Sequence, residues 1–116
     1  MKIFKFGGAS VKDAESIKNV AVVLKTEHFS NCLIVVSAMG KTTNALEKVV
    51  QFYFEKKNYE TEVENIKENH LKITGELFSK NHPVLAEIAV FFDDINSFLR
   101  RNKSPNYSFV YDQVVG

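Results

Sequence analysis

Met1-Lys2-Ile3-Phe4-Lys5-Phe6-Gly7-Gly8-Ala9-Ser10 opens the chain with a short apolar strand that runs directly into paired glycines. A strand covered on both faces reads as a nearly continuous hydrophobic run, and lysine is seldom buried without a partner. Lys5, set among Ile3, Phe4 and Phe6, is therefore either a solvated side chain on an edge strand or a cation facing a bound anion. The glycines favour the anion. Two residues without Cβ at a strand exit let the backbone turn sharply and let a ligand approach it closely. Amides exposed there, with the positive end of the following helix, suit anionic oxygens. Strand alternation puts Lys5 and Gly7 on one face and Phe4 and Phe6 on the other, so the ammonium and the turn point the same way. A bound phosphate is the simplest partner for both.

The rest of the composition restricts what else the chain could do. Its 116 residues are the size of one small domain, and 45% hydrophobic content is enough for a core. Fifteen basic and fourteen acidic residues leave a net charge of +1 with no long single-sign block. That balance carries no footprint for nucleic acid or an anionic membrane, which leaves small molecules and protein as partners. Cys32 is the single cysteine, so no intrachain disulfide can form, and it reads as core filling in a reducing compartment. Neither a signal peptide nor a run of about 18 apolar residues is present, and a cytoplasmic location is expected.

Beyond the glycines, Ser10 is a candidate helix cap, and Ala14, Ile17, Val20, Ala21 and Leu24 recur at helical spacing over residues 12–26. Cys32-Leu33-Ile34-Val35-Val36 then reads as a buried parallel strand. Residues 2–37 thus fit a right-handed βαβ unit. Parallel strands bring their carboxyl ends to one rim, so Gly7-Gly8 should face Ser37-Ala38-Met39-Gly40-Lys41-Thr42-Thr43-Asn44 across it, where ligands of open α/β sheets bind. Gly40-Lys41-Thr42 imitates the end of a Walker A loop, but that pattern needs a glycine where Val35 stands.

A helix over residues 42–57 follows, with Leu46, Val49, Val50 and Tyr53 on one face. Residues 58–101 read as a helical hairpin. Val63, Ile66, His70, Ile73 and Leu77 form one stripe, and Val84, Leu85, Ile88, Phe92, Ile95 and Leu99 the other, with Pro83 opening the second helix. Glu60, Glu62 and Glu64 read as a solvated face, His70 as a satisfied core position, and adjacent Asp93 and Asp94 as groups that diverge on a helix. Residues 106–116 begin another element whose period fits helix or strand. Two strands flanked by helices cannot bury themselves as a doubly wound domain does, so the chain reads as the front of a larger fold.

Lys5-Phe6-Gly7-Gly8-Ala9-Ser10-Val11 together with Val35-Val36-Ser37-Ala38-Met39-Gly40-Lys41-Thr42-Thr43-Asn44 resembles the amino terminus of the aspartate kinases, a branch of the amino acid kinase family. The hairpin over residues 58–101 fits that branch, and Tyr111-Asp112-Gln113-Val114-Val115-Gly116 is similar to the approach to its Ser-x-Gly-Glu segment. The resemblance implies an α/β chain, the amino-terminal part of a three-layer αβα fold: residues 1–116 as a catalytic-domain fragment, with the βαβ unit followed by the helical hairpin. It implies ATP-dependent phosphorylation of the L-aspartate side-chain carboxylate, with ATP and Mg²⁺ as cofactors, opening lysine, methionine and threonine biosynthesis.

Position by position, the resemblance makes Lys5 the catalytic lysine that neutralises the transferring phosphate, and Gly7, Gly8 and Ser10 the phosphate-binding turn. Ser37 and Thr43 match hydroxyls that line the substrate pocket. Ala9 replaces the usual threonine, and Gly116 stands where serine is common. The glutamate that grips the aspartate amino group is expected just past Gly116. The full-length enzyme is expected to be a homo-oligomer, and the 116-residue piece by itself to be inactive. Two other readings stay open: an incomplete fragment or pseudo-enzyme that binds anions or a protein, and a kinase of the same fold for another carboxylate or a nucleotide.

Overall fold

Strands β1 (Lys2–Phe6) and β2 (Cys32–Val36) pair in parallel, Phe4 opposite Ile34 and Lys5 opposite Val35. Parallel neighbours need a crossover, and helix α1 (Ala14–Thr26) supplies it. The computed structural model describes residues 1–28 and 30–116, which fall into two compact units, Met1–Thr42 and Thr43–Gly116.

In the first unit α1 begins later than the spacing predicts, and Ser10 does not cap it. Residues Gly8–Val11 form a 3₁₀ turn instead. The cap is Asp13, whose carboxylate accepts the Ser16 N–H at 2.8 Å. Hydrogen bonds from Ser16 favour the ionised form and hold the Asp13 carboxyl below its ordinary range. Phe4 and Phe6 stack at 6.5 Å and are half-buried, whereas Ile3 on the alternate face is 65% exposed. The buried β2 strand read from its apolar run is corrected: Leu33, Ile34, Val35 and Val36 are all exposed and Cys32 is half-buried. Two strands and one crossover helix contain too little apolar surface to cover both faces of the sheet.

The second unit contains the core. Helices α2 (Thr42–Phe54, starting at the last residue of the first unit), α3 (Tyr59–Leu77), α4 (Pro83–Arg101) and α5 (Tyr107–Val114) each contribute two members. These are Val49 and Val50, Val63 and Ile66, Phe92 and Leu99, and Val110 and Val114. Lys67 reaches Asp93 at 3.4 Å and the His70 ring lies 5.1 Å from Phe92, so positions advance along α3 as they recede along α4. The hairpin is therefore antiparallel. Asn58 and His82 cap its two helices, with Pro83 in the first turn of the second. The ambiguous last stretch is a helix, capped by Asn106, whose side chain accepts the Phe109 N–H. Among the described residues no helix is long and apolar enough to cross a membrane.

Helix α2 stops at Phe54 rather than residue 57. Lys57 N–H bonds the Phe52 carbonyl at 2.8 Å and Lys56 N–H the Tyr53 carbonyl at 3.2 Å, the Schellman pattern, with Lys56 at φ +60°. A side chain in that left-handed position is strained where glycine is not. Lys56→Gly is expected to stabilise the chain by about 0.5–1 kcal/mol, read as a rise in urea midpoint. A lower midpoint would show that the lysine contributes more than its backbone costs.

Candidate functional site

The carboxyl ends of β1 and β2 carry two turns that touch. Ser37 N–H donates to the Phe6 carbonyl at 2.9 Å, extending the parallel ladder one step beyond the strands, and Gly40 N–H donates to the Gly8 carbonyl at 3.2 Å. A Cβ on Gly8 would lie 2.6 Å from the Gly40 carbonyl oxygen, closer than real Cβ atoms come, so this glycine is required by backbone packing. Gly40 sits at φ +52°, and a Cβ there would meet only Lys12 Cα and Cβ at 3.7 Å, so its backbone rather than its surroundings calls for glycine. The Thr42 amide and hydroxyl both donate to the Met39 carbonyl and close the second turn.

Gly7 is different. Its backbone is extended, at φ −79° and ψ 177°, which any residue adopts, and a Cβ there would meet nothing within 4 Å. Neither conformation nor packing among the described residues asks for glycine at this position. Lys5, two residues back, is exposed and makes no hydrogen bond or ion pair among the described residues. Its ammonium is available to a ligand from outside the chain.

Ser10 spends its amide on the Gly7 carbonyl at 3.0 Å, leaving its hydroxyl as the group it can offer. With Phe6, Ala9, Ser16, Asn19, Val20 and Val23 it lines a cavity of about 380 Å³. Phe6 alternates with Lys5, so this cavity lies on the α1 side of the sheet. Ser37 is exposed at the end of β2, next to Phe6 through the ladder. Lys5, Gly7, Gly8, Ser10 and Ser37 therefore all belong to the first unit, whereas Thr43, the second residue of α2, is exposed and opens the second. Sequence reasoning missed Gly40 and Thr42. A glycine shortly after a strand and a threonine at a helix start were the available signals, but neither residue type says which carbonyl its amide will meet.

The described residues contain no group of three or more His, Cys, Asp or Glu able to hold a metal ion. The remaining polar features serve the second unit. Tyr111 O–H donates to Glu47 Oε1 at 2.8 Å, which raises the Tyr111 pKa because ionisation would break that bond. Tyr53 O–H donates to the Asn102 carbonyl at 3.3 Å, and Asn102 Nδ2 donates back to the Tyr53 hydroxyl at 3.0 Å. His70 has its Nδ1 2.9 Å from the Ile66 carbonyl.

Residues 1–108 match the model of the amino acid kinase family. Over 79 residues the chain is 42% identical to two Arabidopsis thaliana proteins, aspartokinase 1, chloroplastic, and aspartokinase 2, chloroplastic. Each match covers 65% of this chain and 14% of the relative, so the chain aligns with only a small part of those proteins.

Proposed function

The chain belongs to the amino acid kinase family, and we propose that within it the chain is the amino-terminal part of the catalytic domain of an aspartate kinase. The reaction is transfer of the ATP γ-phosphoryl group to the side-chain carboxylate of L-aspartate, the entry to lysine, methionine and threonine biosynthesis. The observation that carries this reading is Gly7, whose missing side chain serves neither backbone nor packing among the described residues and leaves the strand exit open beside Lys5, a lysine with no partner among them. The identity to aspartokinases supports the choice of acceptor.

A carboxylate oxygen of aspartate attacks the γ-phosphorus, a new O–P bond forms, and the bond to the bridging oxygen breaks with its electron pair leaving on ADP. The acceptor is already ionised near neutral pH, so no general base is needed. Positioning and charge neutralisation then carry the step. Lys5 supplies the positive charge, the Gly7-Gly8 turn holds phosphate oxygens, and the Ser37 hydroxyl orients the acceptor. Mg²⁺ accompanies the nucleotide. These residues include no carboxylate, so none is assigned as its ligand and no step is derived through it. A cytoplasmic setting and a homo-oligomeric full-length enzyme complete the proposal.

Gly7→Ala separates a ligand-facing glycine from a structural one. It is expected to leave the fold as stable as before or more stable by about 0.5 kcal/mol, because the extended backbone accepts alanine and the unfolded chain loses freedom. In the full-length enzyme ADP release with aspartate is expected to fall by about tenfold or more. Loss of stability with unchanged activity would remove Gly7 from the site. A panel of acceptors in the same assay tests the substrate, and aspartate ranking below another carboxylate or a nucleotide would overturn the assignment.

A further inference from the structure

The two rim turns share backbone. Gly40 N–H is committed to the Gly8 carbonyl, the Gly40 carbonyl occupies the space a Gly8 side chain would need, and the left-handed Gly40 backbone lies against Lys12. Three further amides near the turns are committed too: Ser37 to Phe6, Ser10 to Gly7 and Thr42 to Met39. Neither turn can shift without breaking its bonds to the other or its own closing bonds.

From this juxtaposition we infer that the Gly8–Gly40 contact is a positioning clasp, which makes the two turns one anion-binding body so that a phosphate chain seated on the first also sets the second. Gly40 is thus a positioning residue. Its amide is used within the chain, and it acts through the placement of Gly8. The physical reason is preorganisation, since donors held at fixed spacing lose little freedom when an anion arrives. Amides on two independent turns would have to be ordered at that moment. The inference deepens the proposed phosphate site and rests on it.

The test is an amide-resolved NMR titration of the full-length enzyme, isotope-labelled at glycine and methionine, with inorganic tripolyphosphate. Amides of Gly7 and Gly8 and those of Met39 and Gly40 are expected to shift with one common Kd, and a trans-hydrogen-bond scalar coupling is expected between the Gly40 nitrogen and the Gly8 carbonyl carbon. Gly8→Ala is expected to abolish that coupling, silence the second turn and weaken binding by about tenfold or more. Should that variant fail to fold, the wild-type titration decides by itself, and Gly40 offers a second route. Gly40→Asn tolerates the left-handed backbone and has room beside Lys12, so it should retain the common Kd, whereas Gly40→Ala should lose it. A first turn that titrates while the second stays silent would overturn the clasp and leave the phosphate site standing. Silence in both turns would overturn the phosphate site and the clasp together.

Discussion

Lys5→Ala is expected to lower kcat for aspartate phosphorylation by about a hundredfold or more while changing the KM for aspartate by less than about threefold. The asymmetry follows from where charge appears. Negative charge on the departing bridging oxygen grows only as the γ-phosphoryl group leaves ADP, so a cation beside it strengthens its contact in the transition state and contributes little to aspartate binding. Lys5 is exposed, is the penultimate residue of β1 opposite Val35, and has no ion-pair partner among the described residues, so its removal leaves no orphaned carboxylate behind. Stability should therefore stay within about 0.5 kcal/mol of the parent. An unchanged kcat with only a raised KM would reduce Lys5 to a binding contact. Steady-state kinetics in the full-length enzyme at saturating ATP make the distinction, and Lys5→Arg tests whether charge alone is enough.

The second large effect concerns stability. Leu99→Ala is expected to destabilise the second unit by about 3 kcal/mol, a large share of the roughly 5–15 kcal/mol that holds an ordinary domain together. Leu99 is 2% exposed and belongs to a cluster drawn from all four helices, so truncation leaves a cavity that no single helix can close by shifting. Phe91→Ala is the control. Phe91 is 69% exposed on the same helix and should change stability by less than about 0.5 kcal/mol. Urea unfolding followed by far-ultraviolet circular dichroism reads both. Equal losses would mean that Phe91 is covered in solution or that the core does not depend on Leu99.

Much of this arrangement could be read from the chain before any coordinates. The strand, helix and strand of the first unit follow from the switch of hydrophobic period between Phe6 and Cys32, and the hairpin from two stripes interrupted at His82 and Pro83. What could not be read has physical causes. The run from Cys32 to Val36 shows that the strand has apolar residues on both faces, but whether anything covers them depends on other parts of a structure and not on the strand. Ser10 and Asp13 are both good caps, and the short 3₁₀ turn that takes in Ser10 decides in favour of Asp13. The last helix is eight residues long with valines at two of its positions, too short for its period to outweigh its strand-forming composition.

The rim shows the same division. Chain order and strand pairing bring Gly8 and the second turn together, so their proximity was predictable from topology. The roles of the glycines were not. Gly7 and Gly8 look equivalent in the sequence, yet Gly8 is enforced by the Gly40 carbonyl and Gly7 by nothing among the described residues. Gly40, in a stretch that only imitates a Walker A loop, is a left-handed residue bonded to Gly8.

Acyl phosphates react with hydroxylamine to give stable hydroxamates, whereas phosphate esters do not. Incubation of the full-length enzyme with ATP, Mg²⁺, L-aspartate and hydroxylamine should yield aspartyl hydroxamate in step with ADP, with Lys5→Ala slowing both by about a hundredfold or more. Release of ADP without hydroxamate, or hydroxamate from another carboxylate in preference to aspartate, would contradict the reaction proposed for the full-length enzyme.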